Sequence, residues 1–145
     1  MIESITLWHK RARENPTYDD FRVQLGCHLE EIVEMLDELG IDDVTVSHRL
    51  ATAADALESV ANGLKCKAFD VNVRDRGNFL KELCDGVVTA SGVAQCAGMS
   101  FHSAMEEVNR SNWSKFNEDG YPEFDKQGKV KKGERYSPAN MRGMF

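Results

Sequence analysis

The sequence predicts an all-α protein, a bundle of four to five helices followed by an irregular C-terminal tail. Three observations carry that expectation. Apolar residues recur at three- and four-residue steps, most steadily as Phe21, Leu25, Leu29, Ile32, Leu36 and Leu39. Helix stop signals, Gly40 and Gly98, stand just past such runs. Beyond Lys115 the pattern gives way to closely spaced turn pairs, Asp119-Gly120, Gln127-Gly128 and Lys132-Gly133.

Taken in order, Ile2, Ile5, Trp8 and Ala12 predict a first amphipathic helix ending before Asn15-Pro16. Asp19 or Asp20 is the expected cap of a second helix running to about Leu39. Ile41–Val46 reads as an irregular linker. Ser47 opens a third helix, with Leu50, Ala54, Leu57, Val60, Ala61 and Leu64 inward, and 70–77 reads as a loop. A fourth helix spans about Asn78 to Ala97. It is almost wholly apolar or small after Leu83, so most of its sides are expected to be buried. Ser100 begins a fifth through Phe101, Ala104, Met105 and Val108. Tyr121–Phe124 and Lys129–Lys131 suit a short hairpin. Residues 1–118 form the expected helical domain, and 119–145 a basic Gly- and Lys-containing tail that belongs to it or covers it.

The 145 residues suffice for one domain with a real core. The net charge of −6 argues against a general nucleic-acid binder. Its distribution is uneven: residues 1–112 hold 11 basic and 19 acidic side chains, residues 113–145 hold 7 and 5. An acidic body followed by a mildly basic tail suits a metal site under an anion-binding flap, and equally a screened surface. Cys27, Cys66, Cys84 and Cys96 form no C-x-x-C pair and read as small buried hydrophobes in a reducing compartment. No apolar run reaches the roughly 18–20 residues that span a bilayer. No secretory signal is visible, so the expected location is cytoplasmic.

Chemistry concentrates in two acidic motifs. Glu30, Glu31 and Glu34 share one face of the second helix, and Glu82 and Asp85 one face of the fourth. The first set lies opposite the leucine seam, where any soluble helix carries charge, and Asp37 and Glu38 continue it. The second heads a stripe that goes on as Thr89, Val93 and Cys96. Carboxylates there need a partner, which the helix N-terminus or a cation would supply. Convergence of both sets would suit a hard divalent ion, which takes oxygen ligands. Asn112 falls where the stripe of Phe101, Met105 and Val108 calls for an apolar residue. Its partner is backbone at the helix end, or a substrate phosphate or base edge. Lys115 and the tail lysines supply point charges for phosphate. The four histidines give no E-x-x-H pair, and Walker, G-x-S-x-G and G-x-G-x-x-G motifs do not occur.

The order Glu30-Glu31-x-x-Glu34, Glu82-x-x-Asp85, Asn109-x-Ser111-Asn112-x-x-Lys115 and Asp119-Gly120 resembles that of the MazG and phosphoribosyl-ATP pyrophosphohydrolase superfamily of all-α nucleotide pyrophosphohydrolases. The tail Gly128-Lys129-Val130-x-Lys132-Gly133-x-x-Tyr136-x-Pro138 is similar to that of smaller, often phage-encoded, MazG-like members. The resemblance spans about residues 20–138, and the gap from Glu34 to Glu82 is longer than in compact MazG domains. It implies Mg²⁺-dependent hydrolysis between the α- and β-phosphates of a nucleoside triphosphate, Mn²⁺ being the natural substitute. By that resemblance Glu31, Glu34, Glu82 and Asp85 coordinate metal, and Glu30 ligates it or, with Glu34, orients the attacking water. Asn109, Asn112, Lys115, Lys131, Lys132 and Tyr136 would bind the substrate, the last three as a lid. The apolar helix faces favour a homodimer or homotetramer. The competing expectations are a non-catalytic helical module that binds nucleotide or protein, and a pyrophosphohydrolase of another diphosphate.

Overall fold

A computed structural model describes all 145 residues. It contains five α-helices: α1 (Ile2–Ala12), α2 (Tyr18–Asp37), α3 (Val44–Lys65), α4 (Arg76–Cys96) and α5 (Phe101–Trp113). The all-α class matches the sequence expectation; α2 stops at Asp37, short of the expected Leu39, and three helix starts differ from expectation in one consistent way. Thr17, not Asp19 or Asp20, caps α2. Its hydroxyl accepts from the Asp20 N–H at 3.2 Å while the Asp20 carboxylate accepts from the Thr17 N–H at 2.8 Å. This capping box satisfies two orphan donors reciprocally. Asp43, not Ser47, caps α3, and Asp75 caps α4 ahead of Asn78. Each time the capping side chain stands earlier in the chain than expected, which lengthens the helix and adds hydrogen bonds to an already formed nucleus. Gly98 ends α4 as anticipated: its φ of +75° lets the Met99 N–H turn back to the Ala94 carbonyl at 2.9 Å.

By compactness the chain divides into two units. One comprises Asn15–Val71 with Lys126–Lys129, and the other Met1–Glu14, Asn72–Asp125 and Val130–Phe145.

The first is an antiparallel helical hairpin. Val23, Gly26 and Val33 of α2 are buried, as are Ala54, Ala61, Leu64 and Lys65 of α3. The contact line on α2 thus runs 23–26–30–33, beside the predicted seam of Leu25, Leu29, Ile32 and Leu36, whose members are half-buried. Gly26 makes the close approach: a Cβ there would stand 2.7 Å from the Ala61 carbonyl oxygen and 2.8 Å from Lys65 Cγ. The return loop after α3 is tied to α2. Tyr18 Oη bridges the Val71 carbonyl and N–H at 2.8 Å each, and Arg22 pairs with Asp19 at 2.6 Å and Asp70 at 3.0 Å.

The second unit is built around Trp8, Ala12 and Phe116, with Trp113 and Val130 packed on them. Trp8 stacks on Phe116 at 5.5 Å and donates its indole N–H to the Asn112 carbonyl at 2.8 Å. Ser4 Oγ accepts from both Asn109 Nδ2 (2.9 Å) and Trp113 Nε1 (3.1 Å), locking α1 to α5. The expected hairpin reduces to one antiparallel bridge, Phe124 with Val130. The tail then runs along α5: the Glu107 carboxylate receives the Asn140 N–H at 2.8 Å, and Ser114 Oγ receives the Ser137 N–H at 2.8 Å.

One expectation fails outright. No residue of α4 is buried, Val88 and Val93 are 68% and 69% exposed, and Cys84 and Cys96, like Cys66 after α3, are exposed rather than buried. Within this unit the tryptophan-centred core is satisfied by α1, α5 and the tail, so α4, packed on α5 alone, has nothing to cover its apolar side.

Candidate functional site

The two acidic motifs fall in different units: Glu30, Glu31 and Glu34 on α2 of the hairpin, Glu82 and Asp85 on α4. Glu30 is not on the outer face with its neighbours. Standing in the contact line of α2, it meets Lys65, which is only 6% exposed, at 2.6 Å through Oε1. Through Oε2 it meets Lys129 of the tail, also at 2.6 Å. Burial alone would push the Glu30 carboxyl up, but the hydrogen bonds from Lys129 and Lys65 outweigh it and hold its pKa below the ordinary value. Glu30 is therefore ionised and neutralised by lysines.

Glu31 and Glu34 are exposed, one turn apart on α2. Glu82 and Asp85 repeat that spacing on α4, and here the expectation of a buried stripe is corrected: they are 70% and 52% exposed. Both lie against Lys81, whose Nζ is 2.6 Å from Asp85 and 3.1 Å from Glu82, and the Asp85 bond in particular raises the lysine pKa. The helix runs out of neighbours at this point, so these acids meet water and Lys81 rather than a buried stripe.

Neither unit gathers three or more His, Cys, Asp and Glu side chains into a set that could hold an ion. Each helix offers a candidate carboxylate pair, which Asp37 and Glu38 extend at the end of α2. The donor type fits Mg²⁺, which ordinarily takes one or two carboxylates from a protein and completes its shell with water and substrate phosphates. Four carboxylates at one ion require the two pairs to be brought together.

All six candidate substrate residues belong to the unit of α4. Asn109 donates its side-chain amide to Ser4, and the Asn112 backbone carbonyl accepts the Trp8 indole N–H, so both positions also take part in α1–α5 packing. Lys115 is half-buried at the end of α5, where Gly133 backs onto its carbonyl; a Cβ at Gly133 would stand 3.4 Å away. Lys132 lies over the Tyr136 ring at 5.1 Å, and Lys131 is 4.0 Å from Glu123. Sequence reasoning missed Lys65 and Lys129 as partners of Glu30. The available signal was Lys65 itself, next to Leu64 on the inner side of α3. Comparison with protein-family models, with curated proteins and with solved structures finds no match for this chain.

Proposed function

We propose that the protein is a Mg²⁺-dependent nucleoside triphosphate pyrophosphohydrolase of MazG-like type, releasing a monophosphate and pyrophosphate. The observation that carries this reading is the repeated device of two exposed carboxylates one helical turn apart, Glu31 with Glu34 and Glu82 with Asp85. It stands beside the resemblance in motif order. Bound Mg²⁺ would supply a water of lowered pKa and neutralise charge on the departing pyrophosphate. Glu31 with Glu34, and Glu82 with Asp85, are the residues that would hold Mg²⁺, and Glu34 would orient the attacking water. Glu30, ionised between two lysines, fixes the α2 backbone beneath its neighbours. Lys115, Lys131 and Lys132 steady phosphate oxygens, Tyr136 closes over them, and Asn109 and Asn112 border the sugar or base. A homodimer or homotetramer seated on the uncovered side of α4 belongs to the same reading, because charge-free helix faces of this kind seek a partner.

That same uncovered helix also favours a second reading, a non-catalytic helical module that binds another chain. Pyrophosphate release separates the two. With Mg²⁺ and a panel of nucleoside triphosphates, the wild type turns over at least one substrate, and Glu34→Gln and Asp85→Asn each lower the rate about a hundredfold or more. Absence of release across the panel overturns the enzyme reading, and equal rates in all three proteins remove Glu34 and Asp85 from its site.

A further inference from the structure

A cavity of about 220 Å³ opens where the end of α1, the end of α5 and the tail come together. Trp113 lines it together with the edge of the buried Phe116, and Arg11 and Arg135 line it from different segments. Unlike Arg22 and Arg110, which are spent on Asp19, Asp70 and Glu107, neither Arg11 nor Arg135 takes part in an ion pair. Both are exposed, and the backbone beside each is fastened. Gly120, with φ +77°, brings the loop backbone so close to Arg11 that a Cβ would stand 3.3 Å from its Nη1. That loop is closed by Asn117, whose side-chain oxygen accepts the Tyr121 N–H at 2.8 Å and whose N–H reaches the Tyr121 carbonyl at 2.9 Å. Arg135 rides on the tail segment that Ser114 and Arg110 fasten to α5 through Ser137 and Pro138. Only one acid, Glu118, lines the cavity, while Glu14 and Asp119 line a neighbouring hollow that Arg11 also borders.

We propose that Arg11 and Arg135 form a binding site for a phosphoryl group, with Trp113 and Phe116 as an apolar wall against which a ring attached to that group can lie. Two guanidiniums with free donor edges match the oxygens of a phosphate better than those of a monovalent ion. The aromatic wall adds stacking surface if the phosphate is carried by a nucleotide. The site uses none of the acidic pairs and none of the lysines invoked for hydrolysis, so it stands whether or not the protein is an enzyme.

The test is calorimetric titration of the full chain with pyrophosphate and, separately, with adenosine monophosphate, in low salt with a chelator present so that no metal participates. Tryptophan emission, to which Trp113 contributes, is followed alongside. Saturable binding of one or both is expected. Arg11→Gln and Arg135→Gln each weaken it about tenfold or more, and Arg142→Gln, outside the cavity, leaves it unchanged. Equal affinity for the two ligands assigns the phosphoryl group alone, and tighter nucleotide binding adds the wall. No saturable binding of either ligand overturns the proposal, as does equal weakening by Arg142→Gln.

Discussion

Glu30 and Lys129 are 99 positions apart in sequence and meet at 2.6 Å, where the lysine donates to one carboxylate oxygen while Lys65 holds the other. The charge on Glu30 is therefore part of the hairpin's construction. Glu30→Ala strands Lys65, which is nearly without access to water, and should cost about 2–3 kcal/mol in urea unfolding, less than a fully buried pair because Glu30 itself is partly exposed. Glu31→Gln, one residue along and exposed, should change stability by less than about 0.5 kcal/mol. Equal costs at the two positions would remove the distinction between them.

Gly26 is required by distance rather than by backbone angle. A methyl group there would press on the Ala61 carbonyl at 2.7 Å, and backbone cannot swing aside as a side chain can. Gly26→Ala should therefore destabilise by about 1–3 kcal/mol, although alanine is ordinarily the better helix former. A higher melting temperature in this variant would contradict the packing described.

Val88 and Val93 on α4 face solvent, so a charge placed there costs the single chain little. If α4 seats a second copy, Val88→Glu should shift sedimentation from dimer or tetramer toward monomer while the far-ultraviolet spectrum stays the same. Identical sedimentation of variant and wild type would exclude α4 from any interface between copies.

The Arg110 guanidinium and the Asn140 N–H hold the Glu107 carboxyl down at about 2, from an ordinary 4.5. The folded chain thus binds this proton less readily than the unfolded one. The contribution is complete above the unfolded value and drains away as pH falls from about 5 toward 2. Glu107→Gln should flatten this part of the acid limb of the stability profile and loosen the tail, measurable as faster proteolysis after Arg135 or Arg142. An unchanged acid limb would count against this tie between Glu107 and the tail.

The helices were legible because seams of leucine, isoleucine and alanine record the 3.6-residue period directly. The contact line of α2 was harder to read, because two of its members, Gly26 and Glu30, are not apolar and so dropped out of any hydrophobic pattern. The same blind spot hid Lys65, a charged residue on the inner side of α3. With α4 the error ran the other way. A charge-free run from Gly86 to Met105 reads as interior, but whether such a run is covered depends on what the rest of the chain, or another chain, offers it. Of the candidate site, the two acidic pairs and their helical spacing could be read from residues alone. Asn109 could not be assigned to Ser4 without knowing that α1 returns to α5, a pairing across 105 positions.

That return has a kinetic consequence. The hairpin of α2 and α3 closes over a short connection, whereas Trp8 must find the Asn112 carbonyl 104 positions away. Residues 15–71 lie within that span, so early collapse of the hairpin shortens the effective search by consuming slack chain. Pulse-labelled hydrogen exchange should accordingly protect amides of α2 and α3 before those of α1. Simultaneous protection would mean that the amino-terminal helix needs no such head start.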